Sequence, residues 1–240
     1  MTARPWISGR DYTVCWRIAK ATIRATPKFR AKGDTHLIST VITGCSRLPP
    51  HATQCLLSTR RFSRTCIVNV LALCGSLRAA SMNAALLRAT ARLAPDGITV
   101  AIFPGLAELP LFNPDLEADM PASARRLQAA ISACDALLIA SPEYAHGVTA
   151  VIKNALDWLV SFPPFVDKPV AIFNASPRSV HADSSLRETL TTMSARLVPD
   201  ACLALPLRST GITEQGILDS EHAAPIRRAL SLLVSGAARS

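Results

Sequence analysis

From Ile67 onward, short apolar runs alternate with amphipathic stretches of helical period, and this alternation limits the possible folds more than any other feature of the chain. The runs Ile67–Leu73, Ile98–Phe103, Ala136–Ala140 (ALLIA), Pro169–Asn174 (PVAIFN) and Ala201–Leu205 read as strands, each closed by Gly, Pro or polar residues. Helices are expected between and after them. One is capped by Asn83 and carries Leu86, Leu87, Thr90, Ala91 and Leu93 at helical spacing. The others run over Ala122–Ala133, Val148–Val160, Ser184–Ala195 and Glu221–Val234. Strands that are apolar on both faces and separated by helices imply a parallel sheet covered on both sides. The expected architecture is therefore α/β, a doubly wound five-stranded parallel sheet over residues 67–240.

In such a sheet, ligands bind outside the carboxyl ends of the strands, at the point where strand order reverses. Three polar loops fall there. The first, GSLRAASMN (Gly75–Asn83), joins a strand to a helix. Free N–H groups and the positive end of the helix dipole make such a place a ready anion site. Ser76, Ser81 and Asn83 add donors and Arg78 a fixed charge. The same residues also fit a plain turn at Gly75 with serines capping the helix, and the loop alone leaves both readings open. The second loop is Ser141–Gly147 (SPEYAHG), and the third runs from Ala175 to Ala182.

Composition divides the chain near Ile67. The formal charge of +9 resides in the first 66 residues, which hold twelve Lys and Arg against two Asp; the remainder is close to neutral. With no aromatic ladder or groove-reading motif, that charge is no argument for nucleic-acid binding by the domain. The first 66 residues lack sustained periodicity and carry breakers at Pro27, Gly33, Gly44, Pro49 and Pro50. Three readings compete for this basic, unstructured extension: a disordered tail, an organelle-targeting segment, or a start assigned upstream of the true one. No apolar run approaches the ~20 residues of a membrane span, so a cytoplasmic protein without a membrane partner is expected. The seven cysteines are scattered, with no C-x-x-C pair, which argues against a disulfide framework or a metal site. Cys74, beside Gly75, reads as a small buried apolar residue rather than a nucleophile.

Taken in order on this strand pattern, GSLRAASMN, LPLFNPDLE (Leu109–Glu117) and SPEYAHG followed by KNALDWL (Lys153–Leu159) resemble the NADPH-dependent FMN reductase family. That family is flavodoxin-like and includes quinone, chromate and azo-dye reductases. The resemblance covers about Ile67 to Leu207. It implies that Ser76, Arg78, Ser81 and Asn83 hold the FMN phosphate, with Met82 among them a further candidate for the cofactor set. It further implies that Pro142, Glu143, Tyr144 and Ala145 run along the flavin ring and that Gly147 lets the chain turn close to it; Ser176 and Arg178 of the third loop are further candidates for the cofactor set. NADPH or NADH would be the donor, a small molecule the acceptor, and the assembly a homodimer or homotetramer, with Asn113-Pro114-Asp115 near a partner's flavin or simply a turn. No side chain is required as acid, base or metal ligand, because a hydride passing between two stacked rings needs orientation. The alternative is a flavodoxin-type electron carrier, which its near-neutral domain disfavours.

The sequence departs from the family pattern in two places. Ala150 stands where a glycine is usual, and Ser176-Pro177-Arg178 replaces a Gly-rich loop. Arg178 and His181 are candidates for the phosphates of the nicotinamide donor, or else a solvated arginine and a surface histidine. Lys153 and Asp157, at i and i+4, read as a helix-face ion pair with Trp158 packing inward. Glu143 reads as structural, and His146 as a lone loop histidine.

Overall fold

The computed structural model describes residues 67–207 and 212–237. The expected basic extension over residues 1–66 lies outside them.

Every residue of ALLIA is buried, as a strand covered on both faces requires, and this strand (β3, Ala136–Ala140) lies in the middle of the sheet. On one side of it runs β1 (Val68–Cys74), with β2 (Ile98–Ile102) beyond at the edge; on the other runs β6 (Pro169–Asn174). All three pairings are parallel, with Val70 opposite Ala136 and Cys74 opposite Ala140. The chain thus steps from β1 to β2 on one side, then to β3 on the other. That reversal puts the switch point between β1 and β3.

The period-two alternation of β1 feeds two cores. Val70 and Ala72 pack with Leu86 and Leu87 of α1 (Met82–Leu93) and with Ile226 and Leu233 of α6 (Ala223–Ala237). Leu71 and Leu73 face the opposite layer. There they meet Leu127 and Ile131 of α2 (Ala122–Ala133), Ile152 and Leu156 of α3 (Ala150–Asp157) and Leu186 of α4 (Val180–Thr192).

Several boundaries differ from the sequence reading. Ser81, not Asn83, caps α1: its backbone is extended and its Oγ accepts the Ala84 N–H at 3.2 Å. The third helix begins at Ala150, capped by Thr149, because Gly147–Val148 (β5) turns back to pair with Glu143–Tyr144 (β4). The fourth helix starts at Val180, four residues earlier than its apolar spacing indicated. The fifth position of the sheet is shared by two fragments, β7 (Arg196–Leu197) and β8 (Leu203–Ala204), both parallel to β6. Pro199, which has no N–H for a ladder, opens a single tight turn between them. A further short helix, α5 (Glu214–Leu218), precedes the last.

Candidate functional site

The three loops named from the sequence do meet at one edge. Gly75 donates its N–H to the carbonyl of Ala140 at 2.8 Å, so the loops after β1 and β3 leave the sheet side by side. A Cβ at Gly75 would lie 2.2 Å from Ser141 Oγ, 2.6 Å from Ser141 Cβ and 2.9 Å from Ile152 Cγ1. Glycine is therefore demanded here by the neighbouring loop.

Past Gly75, Ser76 is half-buried and Arg78 exposed. Ser81 spends its hydroxyl on the helix cap, leaving the N–H groups of Met82 and Asn83 without partners among the described residues. Asn83, placed in the first turn rather than at the cap, is buried, and its Oδ1 has no hydrogen-bond partner among the described residues. A buried, unpartnered amide oxygen in the first turn of a helix is costly unless something completes it. A phosphorylated, hydroxyl-rich group such as FMN fits this donor set: free N–H groups and Arg78 for the phosphate, the Asn83 amide for a hydroxyl or, rotated, for an oxygen. Cys74 stays outside this chemistry. Burial pushes its thiol up, against smaller opposing effects from a backbone hydrogen bond at Ser76 and from Arg88.

The second loop is a hairpin. Glu143 pairs with Val148 and Tyr144 with Gly147, and the turn between them has Ala145 at φ 49° and His146 at φ 59°. Positive φ in this turn falls on these two residues rather than on Gly147. A Cβ at Gly147 would have ordinary clearance, 3.6 Å from Tyr144 O. Pro142 and Gly147 are half-buried, Tyr144 and Ala145 exposed. The Glu143 side chain points away from solvent chemistry altogether: its Oε2 accepts the Ala182 N–H in the first turn of α4 at 2.8 Å.

The third loop is organised by Asn174. Its Oδ1 accepts the Ser176 N–H at 3.0 Å and its Nδ2 donates to Ser179 O at 3.1 Å. Ser176 Oγ in turn accepts the Arg178 N–H at 3.3 Å, leaving the Arg178 side chain exposed. Sequence reasoning passed over Asn174, although an Asn two residues before a Ser-Pro pair is a legible turn signal. His146 is not alone: its ring stacks on that of His181, centroids 4.3 Å apart and planes at 24°. These residues are 35 positions apart, and no local pattern joins them.

Between the hairpin and α4 lies a cavity of about 10 Å³ lined by Ser141, Val148, Asn174 and Ala182 among others, room at most for one water. That cavity is too small to hold a cofactor. The predicted Lys153–Asp157 ion pair is present. Asn154 and Trp158 serve the loop after β2: Asn154 Oδ1 accepts the Phe112 N–H at 2.8 Å, and Trp158 Nε1 donates to Pro110 O at 2.9 Å. Phe112 also sits edge-on to Trp158, centroids 5.1 Å apart. Among the described residues, no three His, Cys, Asp or Glu side chains are grouped to hold a metal ion.

Comparison with known proteins finds likeness in sequence and in fold. The family described as NADPH-dependent FMN reductase matches residues 68–209. An NAD(P)H-dependent FMN reductase of Pseudomonas aeruginosa is 39% identical over 129 residues, 51% of this chain and 69% of that protein. A quinone reductase of Escherichia coli is 35% identical over 113 residues, 45% of this chain and 60% of the relative. The structure of FerB, a flavoenzyme NAD(P)H:(acceptor) oxidoreductase from Paracoccus denitrificans, superposes with a TM-score of 0.62 at 25% identity, over 72% of this chain and 98% of FerB.

Proposed function

We propose that this chain, which belongs to the NADPH-dependent FMN reductase family, is an oxidoreductase that takes electrons from NADPH or NADH and passes them to a small acceptor of the quinone, chromate, azo or free-flavin type. FMN, when bound, supplies the ring that accepts a hydride and returns electrons to the acceptor. The observation that carries the reading is the buried, unpartnered Asn83 Oδ1 beside two N–H groups that are free among the described residues at the start of α1, on the edge the switch point selects.

The chain's own work is to bind and orient. Ser76, Arg78, Met82 and Asn83 would grip the phosphate end, with Ser81 fixing the helix start that presents them. The hairpin from Pro142 to Gly147 would offer backbone groups to the ring's polar edge, where donors favour the charge that builds up on reduction. Ser176 and Arg178 would close the third side, with Arg178 turned toward the donor's phosphates. Stacking two flat rings in register is an orientation effect, so no side chain need move a proton. The FMN-binding domain is assigned to residues 67–240, working as a homodimer or homotetramer in the cytoplasm. Among the described residues no helix is long and apolar enough to cross a membrane.

The test is spectroscopic. The full chain is titrated with FMN, then mixed anaerobically with NADPH or NADH. Bleaching of the bound flavin band within seconds supports the reductase and names its donor. Binding without bleaching by either nucleotide favours an electron carrier, and failure to bind FMN refutes the site.

A further inference from the structure

The hairpin assigned to the flavin ring cannot hold its own shape. Each strand has two residues, far short of what an isolated hairpin needs. Its two-residue turn places both central residues at positive φ, a conformation suited to Asn-Gly, yet the residues are Ala145 and His146. Packing beneath it is incomplete, since the small cavity lies between Val148 on the hairpin and Ala182 and Leu186 on α4. Something outside the hairpin must impose its conformation.

Two contacts cross to the first turn of α4, and they land on adjacent residues. Glu143 Oε2 accepts the Ala182 N–H at 2.8 Å, and His146 stacks on His181. The helix has a matching deficit: Ser179, its N-cap residue, makes no side-chain capping bond. Glu143 thus supplies from the hairpin both the missing acceptor and a negative charge at the positive end of the helix dipole. One contact pins the base of the hairpin, the other its tip.

We propose that Glu143 and the His146–His181 pair are positioning residues, a two-point latch that holds the strained hairpin on α4 and thereby sets where its backbone meets the flavin. The proposal rests on the FMN reading above, but the latch is a property of the protein without cofactor. That separates the two in an experiment.

Amide hydrogen exchange is measured on the cofactor-free full chain for wild type, Glu143→Ala, Glu143→Gln, His181→Ala and His181→Phe, with the amides of β3 as a control for global folding. FMN affinity is then measured for each. In Glu143→Ala the Ala182 amide and the hairpin amides exchange faster by about tenfold, while β3 stays protected. Glu143→Gln, which keeps an acceptor, restores protection, and His181→Phe, which keeps a stacking ring, does so where His181→Ala does not. The FMN dissociation constant rises about fivefold or more in the two alanine variants and returns toward wild type in the conservative ones. Unchanged hairpin exchange in both alanine variants overturns the latch. Faster exchange with FMN affinity within about twofold of wild type overturns its role in positioning the flavin. Wild type that shows the protected hairpin but binds no FMN overturns the proposal at its premise, a result the exchange data set apart from failure of the latch.

Discussion

Replacing Gly75 by alanine tests the junction on which the whole site depends. The new Cβ would lie 2.2 Å from Ser141 Oγ and 2.6 Å from Ser141 Cβ. Rotating the serine relieves the first contact but not the second, so the backbones must part. Forcing a methyl group into a filled space costs about 1–3 kcal/mol. Straining the 2.8 Å bond from Gly75 N–H to Ala140 O adds up to about 1 kcal/mol. Alanine restricts the unfolded chain and returns roughly 0.4–1 kcal/mol. The net loss is about 1–3 kcal/mol, or a fall in Tm of roughly 2–4 °C per kcal/mol for a domain of this size. Ser141→Gly alone also destabilises, since it removes the contact between Ser141 Oγ and Thr149 Oγ1 at 3.2 Å. In the double variant, however, it removes two of the three clashes, so the combined loss falls short of the sum by about 1–2 kcal/mol. Urea denaturation of the four proteins without cofactor closes the cycle. Additive losses, or a single Gly75→Ala variant within about 0.5 kcal/mol of wild type, refute the steric argument.

Other residues lead to further expectations. Asn83→Ala removes an unpartnered buried amide oxygen, so the cofactor-free protein is unchanged or more stable by up to about 1 kcal/mol, while FMN affinity drops about tenfold; a clear loss of cofactor-free stability on urea titration contradicts this. Asn154→Ala strands the Phe112 N–H and takes one of two donors from the Pro110 carbonyl, which keeps Trp158 Nε1; it costs about 1–3 kcal/mol and speeds proteolysis near exposed Leu111, and an unchanged cleavage rate counts against the anchoring role. Burial pushes the Cys74 and Cys134 thiols above the ordinary value of 9.0, so the folded state keeps their protons to higher pH than the unfolded chain does. Their contribution is complete below pH 9.0 and is lost as pH rises through the raised values. The urea midpoint accordingly falls above that pH and falls less in a Cys74→Ala, Cys134→Ala double variant; an identical slope in both proteins refutes the assignment.

The sequence alone carried the frame of this protein. ALLIA and PVAIFN are strands with the bounds read from the sequence, because runs that short are too brief for a helix and fit a strand buried on both faces. The helix over Ala122–Ala133 likewise follows its spacing. From that alternation came the parallel sheet, its reading edge and the three loops that share it. Tertiary structure decided what those loops do. Pairing with Gly147–Val148 turned Glu143–Tyr144 into a strand and delayed the next helix to Ala150. Docking of the hairpin on α4 made Glu143 a cap and gave His146 a partner in His181. The choice of Ser81 as cap moved Asn83 into a buried first turn. The physical reason is range. Hydrophobic period and turn chemistry act over a few residues and are written locally. A capping carboxylate 39 positions upstream, or two stacked imidazoles 35 positions apart, exists only once packing has brought distant segments together.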